Sequence, residues 1–318
     1  DQIISVTSAP QSGYSTRKMN AGLIRNRGVE LSLGGMPVST KNWKWEMNFN
    51  IAKNSNKLVE LADGVDSYSI YWTSFTTRLY NYAMVGKSLG VITGNTWERD
   101  DNGNIIFHEL SASQKALYGG EYVPTYNQNT LDELGNFHPD FTGGFNTSIS
   151  FKNFRLSANI DFSVGGQIVS YTNMWGSSSG ILDKTAELND RGVNVREPVS
   201  KGGGIHMTGV DQDGNKVDTY VNAKLYYTTA SRVWEEWVYD RTYVKLREVS
   251  LSYVFPSQTL KKLNIGLSRV SVAINASNPW LIYSACPNVD VSEIGMGYFE
   301  GGNAAATRSI GFTVNLAF

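Results

Sequence analysis

The last eleven residues, Arg308 to Phe318, read RSIGFTVNLAF and fall into two sets when taken alternately. Ile310, Phe312, Val314, Leu316 and Phe318 share one face; Ser309, Gly311, Thr313, Asn315 and Ala317 share the other. Side chains alternate across a β-strand, so this pattern predicts a strand lying between an apolar and a wet environment. A strand half-buried in a soluble core has the same period. Ending on an aromatic with the alternation still running suits an outer-membrane barrel, where large apolar side chains face lipid and small polar ones face the lumen. One strand leaves barrel and sandwich both open.

Composition narrows the choice. In 318 residues no apolar run approaches the ~18 residues of a transmembrane helix. The 17 Tyr, 8 Trp and 31 Gly against 8 Pro describe many strands, long loops and wet interfaces. A net charge of −1 offers no basic field for nucleic acid. The single Cys286 excludes an internal disulfide and a multi-cysteine metal site, and is read as an ordinary small side chain. The opening DQIISVT is expected of a mature or truncated product rather than a nascent exported one.

Along the chain, Val29, Leu31 and Leu33 alternate with Gly28, Glu30 and Ser32 before Gly34, Gly35 and Pro37, which are read as a break. Then Trp43, Trp45, Met47, Phe49 and Ile51 alternate with Lys44, Glu46, Asn48, Asn50 and Ala52. Ten such residues at ~3.3 Å each, tilted by about 45°, cross an apolar band of ~25 Å. Between 55 and 140 only short strands are readable: Ser67 to Trp72, Arg78 to Met84, Val91 to Trp97 and Ile105 to Leu110. Asn102-Gly103 predicts a tight turn between the last two. Phe145, Thr147, Ile149 and Phe151 form another alternating set. Lys152-Asn153 makes a two-residue turn, and Phe154, Leu156, Ala158, Ile160, Phe162 and Val164 alternate again. In YVKLREVSLSY the phase slips near Arg247 and Glu248, which predicts a bulge. Val270, Val272, Ile274 and Ala276 then share one face of a further strand.

Residues 166–239 show no sustained period and are rich in Gly, Ser, Asn and aromatics. A segment this long is functional or disordered as a rule. Tyr226, Tyr227, Trp234 and Trp237 cluster there as candidate ligand contacts, with loop packing or an interface girdle as the alternative. Asp100, Asp101 and Asn102, and Asp211, Asp213 and Asn215, lie beside Gly103 and Gly214; both groups are read as turns, because the calcium-loop order and its closing Glu are missing. No metal site or cofactor is expected. His108, His138 and His206 have no HExxH partner, and neither a GxSxG elbow nor a phosphate loop at Lys201-Gly202-Gly203-Gly204 is present. Adjacent Glu235 and Glu236, read on a strand, would point to opposite sides, so no glycosidase pair follows and no enzyme is expected.

Several runs resemble the SusC/RagA family of TonB-dependent outer-membrane transporters. Asn20-Ala21-Gly22 through Ile24-Arg25-Asn26-Arg27-Gly28-Val29-Glu30-Leu31 resembles its NxGxIxNxGxE strand. Val85-Gly86-Lys87-Ser88-Leu89-Gly90, Pro139-Asp140-Phe141 before Gly144-Phe145, and Tyr243-Val244-Lys245-Leu246-Arg247-Glu248-Val249-Ser250-Leu251-Ser252-Tyr253 are similar to further family segments. Asn278-Pro279-Trp280 replaces the family's NlftxtkY, and QNTLDELGNFH replaces its acidic DxNGDGxID loop.

The resemblance implies an all-β fold, an antiparallel transmembrane β-barrel, with residues 1–318 as the C-terminal part of a 22-stranded, plugged barrel. The family's plug, TonB box and first strands have no counterpart here. Ten to twelve wall strands with two open edges are expected, and a self-closed barrel is the competing outcome. The implied function is outer-membrane import of glycan fragments or oligopeptides in a Gram-negative cell, energised through TonB, with a SusD-like lipoprotein as lid. A soluble β-sandwich binding module is the alternative. Trp43, Trp45, Phe49, Ile310, Phe312, Val314, Leu316 and Phe318 are expected to face lipid, and the 166–239 loop region to lie outside the membrane near lid or cargo.

Overall fold

A computed structural model describes every residue except 1, 2, 8–10, 12, 15, 21, 74–76, 129, 130, 264, 265, 295–298 and 302–305. Ala21 of the first motif and the opening Asp1-Gln2 lie outside the described residues.

The strongest alternating segments form one sheet of seven strands, here β1 (Leu23–Ser39), β2 (Trp43–Glu60), β3 (Phe141–Phe151), β4 (Phe154–Val164), β5 (Tyr243–Val254), β6 (Arg269–Ser284) and β7 (Ser309–Ala317). Each pairs antiparallel with the next in chain order, an up-and-down meander. Register carries the sequence pattern across the whole sheet. Val38, Trp45, Ile149, Leu156, Leu251, Ile274 and Phe312 stand opposite one another in one row through all seven strands. The adjacent row on the other face is Glu46, Ser148, Ser157, Ser250, Asn275 and Gly311. A one-residue slip in any strand would exchange its two faces, so the pattern itself specifies the register.

Among the described residues no second sheet covers the apolar face: Leu156, Leu251, Ile274 and Phe312 are all exposed. A sandwich would bury that face against a partner; the soluble-sandwich alternative therefore fails. Aromatics gather at both margins of the band. Trp43 lies 4.3 Å from Phe151, and Phe154 lies 4.7 Å from Tyr253, beside the short turns. Phe141, Phe162, Trp280 and Tyr283 mark the opposite margin. Two girdles flanking an apolar band are a barrel feature.

Connections alternate in length. Residues 40–42, Lys152-Asn153 and 255–268 close one rim, and 61–140, 165–242 and 285–308 cross the other. Lys152 adopts φ +51 to make the tightest turn. The helix Ser257–Leu263 sits within the longest of the short connections.

Three expectations need correction. Gly34, Gly35 and Pro37 do not end a strand: β1 runs through them with a register shift between Gly35 and Val38, because a bulge tolerates both glycine and proline. The wall holds seven described strands rather than ten to twelve. Ser67–Thr73, Leu79–Met84, Val91–Gly94 and Asp132–Asn136 instead build a separate four-stranded sheet, and Phe107–Glu109 pairs with Tyr122–Pro124. The 166–239 tract is a packed body, with helices α1 (Tyr171–Ser178) and α2 (Ala223–Ala230) and the hairpin Ile205–Val210/Lys216–Val221. The bulge expected near Arg247 is present, as register shifts at Leu246/Glu248 and Asn159/Ile160. Among the described residues β7 and β1 each have one wall neighbour and do not pair with each other, so the competing self-closed ladder is absent.

Close packing of the wall rests on Gly143, where an added Cβ would stand 2.3 Å from the Asn50 carbonyl and 2.5 Å from the Phe162 ring. Gly143→Val is expected to destabilise the wall by about 1 to 3 kcal/mol through overpacking. A urea titration of the bilayer-folded protein reads this, and an unchanged midpoint would show that Phe162 swings away freely.

Candidate functional site

The polar face of the wall bounds a groove lined by Glu46, Asn48, Asn146, Ser148, Arg155 and Asn159. Glu46 is its centre: Lys44 lies at 2.6 Å, the Ser148 hydroxyl donates at 3.2 Å, and Arg155 donates to it at 3.4 Å and to Ser148 at 3.0 Å. Amides, hydroxyls and paired charges make this face of the wall polar along the groove. Thr313 and Asn315 belong to this face, receiving a hydrogen bond from Asn275 at 3.0 Å and donating one to Ser271 at 3.4 Å respectively.

At the long-loop rim the same face grips the returning loop 285–294. Lys245, 2% exposed in its side chain, reaches Asp290 at 2.7 Å, Glu293 at 2.8 Å and the Ser292 hydroxyl at 3.1 Å. Arg247 bonds Asp161 at 2.9 Å and also pairs with Glu293. Hydrogen bonding from Lys245 holds the Glu293 carboxyl below its usual range. For Asp290, burial raises the value, but bonds from Lys245 and Ser292 outweigh it and the net shift is downward.

A folded-state value below the unfolded one contributes stability above the ordinary carboxylate range, about pH 4 to 4.5, and that contribution is lost as pH falls through the lowered values. Lys245→Met, which leaves two carboxylates without their buried cation, is expected to cost about 1 to 3 kcal/mol at pH 7. It should also shrink the difference in stability between pH 7 and pH 3. Proteolysis of the 285–294 loop measures both. Equal acid sensitivity in wild type and variant would remove the latch from the account.

Above the rim lies the loop body. The four-stranded sheet and the 166–239 tract share one core, in which Leu79, Ile92, Trp97, Val169, Tyr171, Met174, Trp234 and Trp237 are all buried. A second core joins Phe107, Leu110, Val123, Val217 and Val221. Gly209 allows the two hairpins to touch, since a Cβ there would stand 2.1 Å from the Ile105 carbonyl. Both acidic loops are turns: one carboxylate oxygen of Asp100 accepts from the amides of Asn102 and Asn104, and Asp211 accepts likewise from Asp213 and Asn215. Among the described residues no group of three or more His, Cys, Asp or Glu is placed to hold a metal ion, and no helix is long and apolar enough to cross a membrane.

The four aromatics named from sequence meet in this core rather than on its surface. Trp234 is 0% and Trp237 1% exposed. The Trp237 indole donates to the Ala230 carbonyl at 2.7 Å, and Lys184 lies 4.2 Å from its ring centre. Tyr226 packs against Trp97 and donates to Glu236 at 3.3 Å; Tyr227 donates to the Lys184 carbonyl at 3.1 Å. Burial pushes the Tyr227 phenol up to about 12 and raises that of Tyr226 as well. The expected ligand contact is therefore corrected for Trp234 and Trp237, which offer a solute no surface. Glu235 and Glu236 lie on a short 3-10 turn, Trp234–Trp237, not a strand. Glu235 forms a two-bond pair with Arg99 at 2.8 and 3.0 Å, and Glu236 accepts from the Trp97 indole at 2.6 Å.

Sequence reading missed Glu300, which is 4% exposed. Its carboxylate accepts from the Ser170 hydroxyl at 2.7 Å, the Thr172 amide at 3.2 Å and the Thr172 hydroxyl, at the N-terminal end of α1 where negative charge is favoured. No local motif announces it, because its partners are 128 and 130 residues away.

Of the residues expected to face lipid, Trp43, Trp45, Phe49, Ile310, Phe312, Val314 and Leu316 lie on the wall's single apolar face, and Phe318 follows in phase beyond β7.

No protein-family model matches the chain. It is 28% identical over 287 residues to TonB-dependent receptor P3 of Formosa agariphila, covering 88% of this chain and 26% of that protein. It is 38% identical over 157 residues to TonB-dependent receptor SusC of Bacteroides thetaiotaomicron, covering 47% of this chain and 15% of that one. Among solved structures, the RagAB peptide importer in its open-open state matches with a TM-score of 0.69 at 17% identity, covering 100% of this chain and 31% of that one. Its closed-closed state matches at 0.68 and 18%, with 100% and 32% covered. The chain spans about a third or less of the length of these relatives. Wall topology and two-faced register are those of an outer-membrane barrel segment, and in sequence the chain is similar to TonB-dependent receptors, SusC among them.

Proposed function

We propose that this chain supplies the C-terminal part of the wall and part of the outer loop surface of a transporter that imports nutrient oligomers across the outer membrane of a Gram-negative cell. The observation that carries the reading is the row from Val38 to Phe312, apolar through seven strands and uncovered, backed by a polar row on the opposite face. A sheet of this kind is stable where one side is lipid and the other a wet lumen. The unpaired edges of β1 and β7 are then completed by wall strands outside this chain, since open edges in hydrocarbon cost several kcal/mol per unpaired group. The long connections 61–140, 165–242 and 285–308 face the exterior, and the short turns face the periplasm.

Energy reaches the barrel through TonB by way of a plug outside this chain, and a SusD-like lipoprotein caps the loop body. The cargo is an oligosaccharide or oligopeptide; the peptide importer among the structural likenesses supplies a precedent for the second. Tyr226, half-buried at the margin of the core, and Tyr227, buried but lining a surface cleft, remain the aromatics offered to cargo or lid. The test is uptake by the full transporter in cells, with and without residues 166–239. Retained lid association and uptake in the deletion, with the barrel assembled, would sink the role given to the loop body.

A further inference from the structure

A cleft of about 440 Å³ opens on the loop body between the C-terminal end of α1 and the N-terminal end of α2. Its described lining includes two cations, Arg196 and Lys224, and no carboxylate. Arg196 is fixed there by neutral acceptors, the carbonyls of Gly180 and Thr185 and the Thr185 hydroxyl, and among the described residues no acid pairs with it. Lys224 stands in the first turn of α2, where Asn222 caps the helix by accepting from the amides of Lys224 and Leu225. The positive end of the helix dipole adds to the two cations.

A second observation points to a ligand. Ser177 lines the cleft at 1% exposure, and its hydroxyl has no hydrogen-bond partner among the described residues. A buried hydroxyl without a partner is costly, and native structures retain one where something else satisfies it. A donor hydroxyl, two cations and a helix N-terminus together match one chemistry, an oxyanion.

We propose that this cleft is a binding site for an oxyanion, a carboxylate or a sulfate ester, carried by a solute at the outer face. The site is separate from the polar groove of the wall, and its place at the outer face rests on the proposed orientation of the barrel.

The test is calorimetric titration of the full transporter in detergent at low salt with glucuronate, glucose 6-sulfate and N-acetyl-Ala-Ala, with glucose and N-acetyl-Ala-Ala-amide as neutral controls. The charged probes are expected to bind and the neutral ones not to. Whichever charged probe binds most tightly identifies the source of the oxyanion. Lys224→Gln should weaken that binding at least tenfold. Ser177→Ala should weaken it by a similar factor with an unchanged or higher melting temperature, a combination that a purely structural hydroxyl would not produce. Equal binding of neutral and charged probes, or charged-probe binding unaffected by both substitutions, would overturn the proposal, as would the absence of binding by all three charged probes.

Discussion

Trp234→Ala is expected to destabilise the loop body by about 3 to 5 kcal/mol while the wall stays assembled. The side chain is fully buried where three separate loop segments converge. Tyr171 meets it edge-on at 5.1 Å, and a Cβ added at Gly94 would stand 2.8 Å from its own Cβ, which measures how closely the four-stranded sheet lies against it. Truncation leaves a cavity that these two rigid elements have little freedom to fill. Its indole N–H has no acceptor among the described residues, so the loss comes from packing rather than from a broken hydrogen bond. Trp234→Phe, which keeps most of the ring and discards the unpaired N–H, should therefore cost much less. Hydrogen exchange across 166–242, with heat-modifiable gel mobility as the readout for the barrel, separates the two effects. Equal losses for Ala and Phe would place the importance of Trp234 in its N–H and contradict the packing account.

The second large effect concerns the wall. Leu156→Arg puts a charge in the apolar row one step inside the Phe154 margin and is expected to cost about 1 to 3 kcal/mol in a bilayer, whereas Ser157→Arg, one residue along on the polar face, should cost about 0 to 1 kcal/mol. The same contrast is expected between Leu316→Arg and Asn315→Arg, reduced at 316 because that position lies toward a margin of the band. Equal costs at 156 and 157 in a bilayer refolding titration would mean that the two faces meet the same environment.

The wall was legible and the body above it was not, for a physical reason. Each wall strand has one apolar and one polar face, so its period-2 pattern is present in the chain itself; β2 was legible from Trp43 to Ala52 and β4 over its whole length, and the phase slip at Arg247 marked the bulge. The loop body buries side chains from several short segments against each other, and no single segment has to alternate. Trp234 and Trp237 looked like ligand contacts because composition registers an aromatic without saying whether it is covered. The strand count was too high because the short segments between 67 and 136 pair among themselves. One helix was readable and missed: Ser111-Ala112-Ser113-Gln114 opens the helix Ala112–Tyr118 with a reciprocal capping box. Glu300 and Lys245 had no local signal at all, because their partners are set by tertiary folding.

The central claim is that the row from Val38 to Phe312 faces lipid and its neighbour faces water. It is tested most directly by single cysteines in the full transporter, placed at 156, 251 and 312 and at 157, 250 and 313, after Cys286→Ser removes the native thiol from this segment. Each is labelled with an environment-sensitive fluorophore in bilayers holding lipid-attached quenchers. The account predicts strong quenching and blue-shifted emission at 156, 251 and 312, with weak quenching and water-like emission at 157, 250 and 313; quenching of the same strength on both faces, or stronger at 157 and 250, would contradict it.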